Sequence, residues 1–196
     1  MSFAEASQQP GAWSVPAPYR FAVNWDGAEG SRPVAVAYAP AAPGTTVTGP
    51  TITNASEQYA SGGSLVLLQG SALSVRGTTP ATYVHGVNGG SAATLATPTG
   101  LLAGDLVVVY VDTANVPMTP PAGWTLQRQD GQGTVWTQGV ASVPSDLGTW
   151  STSDTHGWTY TAMAFAATEG SPTVAGVGGG GTQSTSAVFT GSAIAP

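Results

Sequence analysis

Ten carboxylates, four arginines and two histidines, with no lysine and no cysteine, supply the acid–base and nucleophilic chemistry open to this 196-residue chain. Asp112-Thr113-Ala114, behind the apolar run Leu106–Val111, has the outline of an aspartic-protease loop. That chemistry needs two such carboxylates sharing a proton. A single copy followed by Asn115 and Val116 reads instead as a strand-ending Asp that caps a turn. A Ser-His-Asp arrangement would have to use His85 or His156, and the sequence holds no Gly-x-Ser-x-Gly elbow. His156 lies in the polar run Ser153-Asp154-Thr155-His156-Gly157 and reads as a solvated turn histidine. Asp154 with His156 would need further oxygen or nitrogen ligands to hold a metal, and Asp26 with Glu29 lacks the alternating acids of a calcium loop. The absence of cysteine removes a disulfide frame, a thiolate zinc site and a thiol nucleophile together. No catalytic residue, metal or cofactor is expected, and the chain reads as a non-enzyme.

Six tryptophans offer a different kind of site: Trp13, Trp25, Trp124, Trp136, Trp150 and Trp158. An exposed indole stacks on sugar rings, whereas a buried one fills a core that is short of Leu and Ile. Trp150 and Trp158 flank the 153–157 turn and are the candidates for a glycan platform, with core filling the favoured reading for them as well. Gly123 and Trp124, held by Pro120-Pro121-Ala122, are expected to form a structural corner. Asn54-Ala55-Ser56 matches a glycosylation acceptor. With no secretory signal in Met1-Ser2-Phe3-Ala4-Glu5 the match is read as chance.

The elements that must carry these residues are strands. Glycine (27) and proline (15) are abundant, and no stretch of 12 residues shows a helical period. Tyr19, Phe21, Val23 and Trp25 alternate with small or polar residues, and Val34, Val36 and Tyr38 do the same after a turn-rich segment. Both runs carry the half-buried strand signature and predict a hairpin with one apolar face. An isolated hairpin is marginal in water, so this face is expected either to cover a sheet of the chain's own sandwich or, with the reach that residues 40–63 give, to dock on another subunit, the second being favoured slightly. Residues 40–63 read as a linker or wrapped loop. Short strands are expected near 65–68 and 73–76. Regular ones follow at 82–87, 106–112, 123–129, 133–140, 147–152, 158–166, 173–177 and 185–190. The 106–112 strand, apolar at every position between Asp105 and Asp112, is expected to be central and buried on both faces. Gly176–Gly181 reads as a flexible hinge rather than a strand. The expected division is an arm, hairpin and linker over 1–79 and a β-sandwich over 80–196. The fold class is all-β, an antiparallel jelly-roll-like sandwich with an irregular N-terminal region.

Composition bounds the partners. Only 7% of residues are charged, 41% are hydrophobic, and the formal charge is −6. Arg20, Arg32, Arg76 and Arg128 are scattered and form no basic stripe, so nucleic acid is not an expected partner. The run Leu106–Val111 is far too short to cross a bilayer, and no membrane insertion is expected. An exterior-type composition without an export signal fits a protein that folds in the cytoplasm and leaves by another route, such as host lysis.

Three segments carry a resemblance. Gly104-Asp105 opens the apolar strand Leu106–Val111 after the lead-in Ala96–Ala103. Pro121-Ala122-Gly123-Trp124 follows, then the alternating Val135-Trp136-Thr137. With the strands at Trp150–Ser151 and Trp158–Phe165, this pattern over roughly 82–178 resembles a β-sandwich domain frequent in tailed-bacteriophage tail proteins. The resemblance implies an accessory virion protein, either a minor tail or a head-decoration protein. Its implied partners are capsid or tail subunits in a homo-oligomeric or multi-copy assembly, bound here through Tyr19, Phe21, Val23, Trp25, Val34, Val36 and Tyr38. The alternative is a host-adhesion module in which Trp150 and Trp158 meet a cell-surface glycan.

Overall fold

The computed structural model describes residues 20–25, 31–38, 51–53, 63–70, 73–79, 82–84, 91–112, 118–130, 133–153, 158–180 and 188–190. Among these, every regular element is a strand and none is a helix. The strands are β1 (Arg20–Trp25), β2 (Ser31–Tyr38), β3 (Thr51–Thr53), β4 (Gly63–Gln69), β5 (Ser74–Thr78), β6 (Thr82–Val84) and β7 (Ser91–Thr94). They continue with β8 (Leu106–Asp112), β9 (Thr125–Asp130), β10 (Gly133–Gly139), β11 (Thr149–Thr152), β12 (Trp158–Ala166), β13 (Thr173–Gly180) and β14 (Val188–Thr190). The chain is an all-β sandwich.

Its centre is the antiparallel sheet β5-β12-β8-β10-β9, with β6 also paired to β12. Each residue of β8 from Leu106 to Val111 is at most 7% exposed, so the strand is covered from both sides as its unbroken apolar run requires. Successive side chains leave a strand on opposite faces. Leu106, Val108 and Tyr110 accordingly join Met163 and Phe165 of β12 and Val135 of β10 in one core. Val107, Val109 and Val111 join Trp158, Tyr160, Ala162 and Ala164 in the other. The register agrees, pairing Val109 with Ala162 and Val108 with Met163. Small alanines opposite valines leave room on that face for indoles.

The first core is closed by a four-stranded sheet, β1-β2-β4-β13, whose β4 contributes the fully buried Val66 and Leu68. The second is closed by the short sheet β11-β7 and the loops around Leu95, Leu101, Met118 and Leu147. A further two-stranded sheet pairs β14 with β3.

Several expectations are corrected here. The hairpin forms, β1 antiparallel to β2, but its register pairs Phe21 with Ala35 and Val23 with Pro33, while Val34 and Val36 pair with Ala22 and Arg20. Directly paired residues share a face. The apolar positions of the two strands therefore lie on opposite faces rather than on one. Nor is the hairpin a detached arm, because β2 runs parallel to β4 and extends the sandwich's own sheet. The β2–β4 pair is parallel, while every other strand pair among the described residues is antiparallel. The boundary between residues 79 and 80 falls inside the structure. β5 and β6, on either side of it, both pair with β12. Thr79 is 4% exposed, and its hydroxyl accepts a bond from the Ala162 amide at 2.9 Å. The glycines of 176–180 are strand rather than hinge, paired residue by residue with β4. A ladder is made by backbone groups, so glycine can complete it when the partner strand is anchored by buried Val66 and Leu68. The stretch read as linker contains β3.

Candidate functional site

Trp150 and Trp158, the candidates for a glycan platform, are core residues. Trp150 is 0% exposed and Trp158 is 1% exposed. The indole N–H of Trp150 donates to the Leu147 carbonyl at 3.1 Å, and that of Trp158 donates to the Ser91 hydroxyl at 2.8 Å. A buried indole whose N–H is already paired offers no face to a sugar. The physical reason lies in the pairing of β11 with β7, which lays Trp150 onto the second core beneath the 118–124 segment.

That segment is where the expected corner stands. Thr119 and Ser151 exchange backbone bonds of 2.8 and 3.0 Å, fastening the start of the segment to β11. Pro121 then lies against Gly148, whose φ of 81° and close approach to the proline ring both exclude a Cβ. Gly123 turns the chain at φ 95° and delivers Trp124 to the edge of Trp150, with ring centroids 5.0 Å apart and planes at 67°. Trp136 meets Trp150 from β10 at 5.9 Å and 84°. Three indoles thus form an edge-to-face cluster with Trp150 at its centre, the geometry aromatic quadrupoles favour. Gly123 makes the turn of this corner, and Trp124 packs against the second core. Trp124 and Trp136 remain half-buried, and the Trp136 N–H is buried with no acceptor.

A second corner surrounds Asp105. Asp105 bounds the apolar run of β8 in sequence, and its side chain is 3% exposed and binds Arg76. The Arg76 Nε lies 3.0 Å from Oδ1 and 2.8 Å from Oδ2, and the Leu102 amide donates to Oδ2 at 2.8 Å. Backbone bonds from Gly104 to the Val140 carbonyl (2.7 Å) and from Val140 to the Asp105 carbonyl (2.8 Å) lengthen the β8–β10 ladder past its last strand pair. Gly77 of β5 lies so close to the Thr99 carbonyl that a Cβ there would overlap it. The lead-in 96–103, the Gly104-Asp105 turn and β5 are therefore one clasp, held by an ion pair between residues 29 apart in sequence. No local signal in the sequence marks Arg76 as the partner.

The other expected positions yield no site geometry. Tyr19, His85, Asp154, His156, Asp26, Glu29 and the Asn54–Ser56 triplet lie outside the described residues. Phe21, Val23, Trp25, Val34, Val36 and Tyr38 are placed by backbone and register alone. Asp112 ends β8 opposite Gly133 and Thr159. Among the described residues, no three His, Cys, Asp or Glu side chains come together as a metal would require, and no helix is long and apolar enough to cross a membrane. Among the described residues, Arg76 with Asp105 and Trp124 and Trp136 with Trp150 are groups that close corners of the sandwich. No family model, curated protein or solved structure matches the chain.

Proposed function

We propose that this chain is a non-enzymatic structural component of a tailed-phage virion, a minor tail or head-decoration protein that binds other virion subunits. One observation carries the reading. The residues behind the resemblance to phage tail domains (Gly104, Asp105, Gly123 and Trp124) are spent on closing the sandwich. Motif residues of an enzyme converge on a cleft where a reacting group is held. Here they lie at corners that stiffen a scaffold, as expected of a part that is built into an assembly. The host-adhesion alternative loses its named residues with the burial of Trp150 and Trp158. Quantitative mass spectrometry of gradient-purified particles tests the proposal. A fixed, multi-copy ratio to the major capsid protein is expected. Recovery of the protein only in the unassembled fraction of the lysate would overturn it.

A further inference from the structure

The second core reaches the surface at the β9 edge of the six-stranded sheet. β10 aligns Trp136 with Val109 and Gln138 with Val107 of β8, and both valines belong to that core. Directly paired residues share a face. Trp136 and Gln138 therefore lie on the second-core side, and Leu126, paired with Trp136, lies there too. The β9–β10 ladder is bulged at this point, between Val135 and Trp136. On the other side of the bulge Arg128 pairs with Val135, a first-core residue, and Asp130 pairs with Gly133. Both charged residues of β9 thus belong to the opposite face. What remains at this edge is uncharged and open. Leu126 is 43% exposed, Trp124 and Trp136 are half-buried, and Ala122, Gly123 and Thr125 are exposed. A Cβ on Gly139, next along β10, would meet nothing within 4 Å.

Two polar groups of this corner are left unspent by the fold. A Cβ on Gly123 would lie 2.7 Å from the Gln138 amide nitrogen, so that head group rests over Gly123, next to Trp124. Among the described residues it has no hydrogen-bond partner. Gln127, at the bulge, instead donates its amide to the Thr137 hydroxyl at 2.7 Å. The second unspent group is the buried Trp136 N–H. Buried polar groups are nearly always paired, which sets this corner apart.

We propose that Trp124, Leu126, Trp136 and Gln138 form an open platform for a neutral saccharide. Indoles and a leucine offer the apolar surface on which a sugar ring packs. A sugar hydroxyl both donates and accepts, and so does a side-chain amide, so the free Gln138 head group can serve it in either sense. A few placed polar groups on an apolar, aromatic lining is the usual make-up of a small-ligand site. Charge selects among sugars. This face of β9 and β10 carries no ionisable side chain, and a chain of formal charge −6 repels acidic polysaccharides but not neutral ones. The platform lies beside Trp150 and uses neither Trp150 nor Trp158.

The assignment does not depend on the virion reading and is tested on the purified full-length chain. Its six tryptophans give six indole N–H signals in a proton–nitrogen correlation spectrum, and Trp124→Phe and Trp136→Phe identify two of them. Maltotetraose, cellotetraose and chitotetraose are each titrated to about 10 mM, well above a millimolar Kd. At least one should move the Trp124 and Trp136 signals while that of the buried Trp158 stays in place. Gln138→Ala should weaken that binding about 5-fold, the worth of one hydrogen bond. Val143→Ala, at an exposed loop position, should leave it unchanged. No shift with any of the three sugars overturns the assignment. So does a shift spread equally over all six indoles, or binding that Gln138→Ala leaves undiminished. A decaproline peptide that moves the two signals where the sugars do not would assign the corner to a proline-rich protein and overturn the saccharide reading. Absence of the chain from purified particles would refute the virion reading and leave this one standing.

Discussion

Replacing Trp150 by Ala separates a core tryptophan from a binding platform. The indole is fully buried, touches Trp124 and Trp136 edge-on, and donates its N–H to the Leu147 carbonyl. Emptying a large aromatic site costs about 3–5 kcal/mol, because the surroundings relax only partly around the cavity. Losing the donor at Leu147 adds about 1 kcal/mol. In a domain of 150–250 residues each kcal/mol moves the melting point by about 2–4 °C, so a drop of roughly 8–24 °C is expected. Trp150→Phe keeps most of the ring contacts and loses the hydrogen bond, and should cost about 1–2 kcal/mol. Thermal melts followed by far-UV circular dichroism are the right assay, since each variant removes an indole from the fluorescence signal. A loss under about 1 kcal/mol for Trp150→Ala, the behaviour of surface positions, would refute the burial argument and restore Trp150 as a ligand platform.

The Arg76–Asp105 pair should respond asymmetrically. Arg76 is a third exposed and Asp105 almost fully buried, so Arg76→Ala strands a buried carboxylate and should cost about 3 kcal/mol, against about 1–2 kcal/mol for Asp105→Asn. Equal losses in urea titrations would contradict that ordering. Gly123→Ala puts a Cβ at φ 95° and should cost about 1–3 kcal/mol, which a melt of the single variant checks. Deleting residues 1–38 removes β1 and β2 and bares the edge of β4, with its Leu65–Leu68 run. The truncated protein should aggregate, as read by light scattering, and a monodisperse product as stable as the full chain would show that the hairpin is dispensable.

What the sequence made legible is governed by how local each feature is. β8 and β12 are expected and observed over the same residues, and the burial of β8 on both faces follows from an apolar run without alternation. In β12, Trp158, Tyr160, Ala162 and Ala164 belong to one core and Met163 and Phe165 to the other, as the opposite faces of a strand require. Features set by partners distant in sequence were not legible. β3 and β7 consist of small or hydroxylated residues plus one Ile, and exist because Val188–Thr190 and Thr149–Thr152 pair with them. The glycine-rich β13 is a strand because of β4. For the hairpin, alternation fixed which residues share a face within each strand. The register across the turn was open, and a one-residue slip exchanges the faces of one strand relative to the other. The turn at Gly123 has a local signal in Pro-Pro-Ala-Gly. The burial of Trp150 and Trp158 has none, because the strand and loops that cover them come from elsewhere in the chain.

A single-particle density map of a phage particle tests most directly the proposal that the sandwich is a built-in part of a virion. The expected result is a copy of the sandwich at a repeated, symmetry-related position on the head or tail, with the Trp124 and Asp105 corners inside each copy and contacts to neighbours made by sheet faces and edges. A particle map in which all protein density is accounted for by other chains, with this protein free in the lysate, would contradict it.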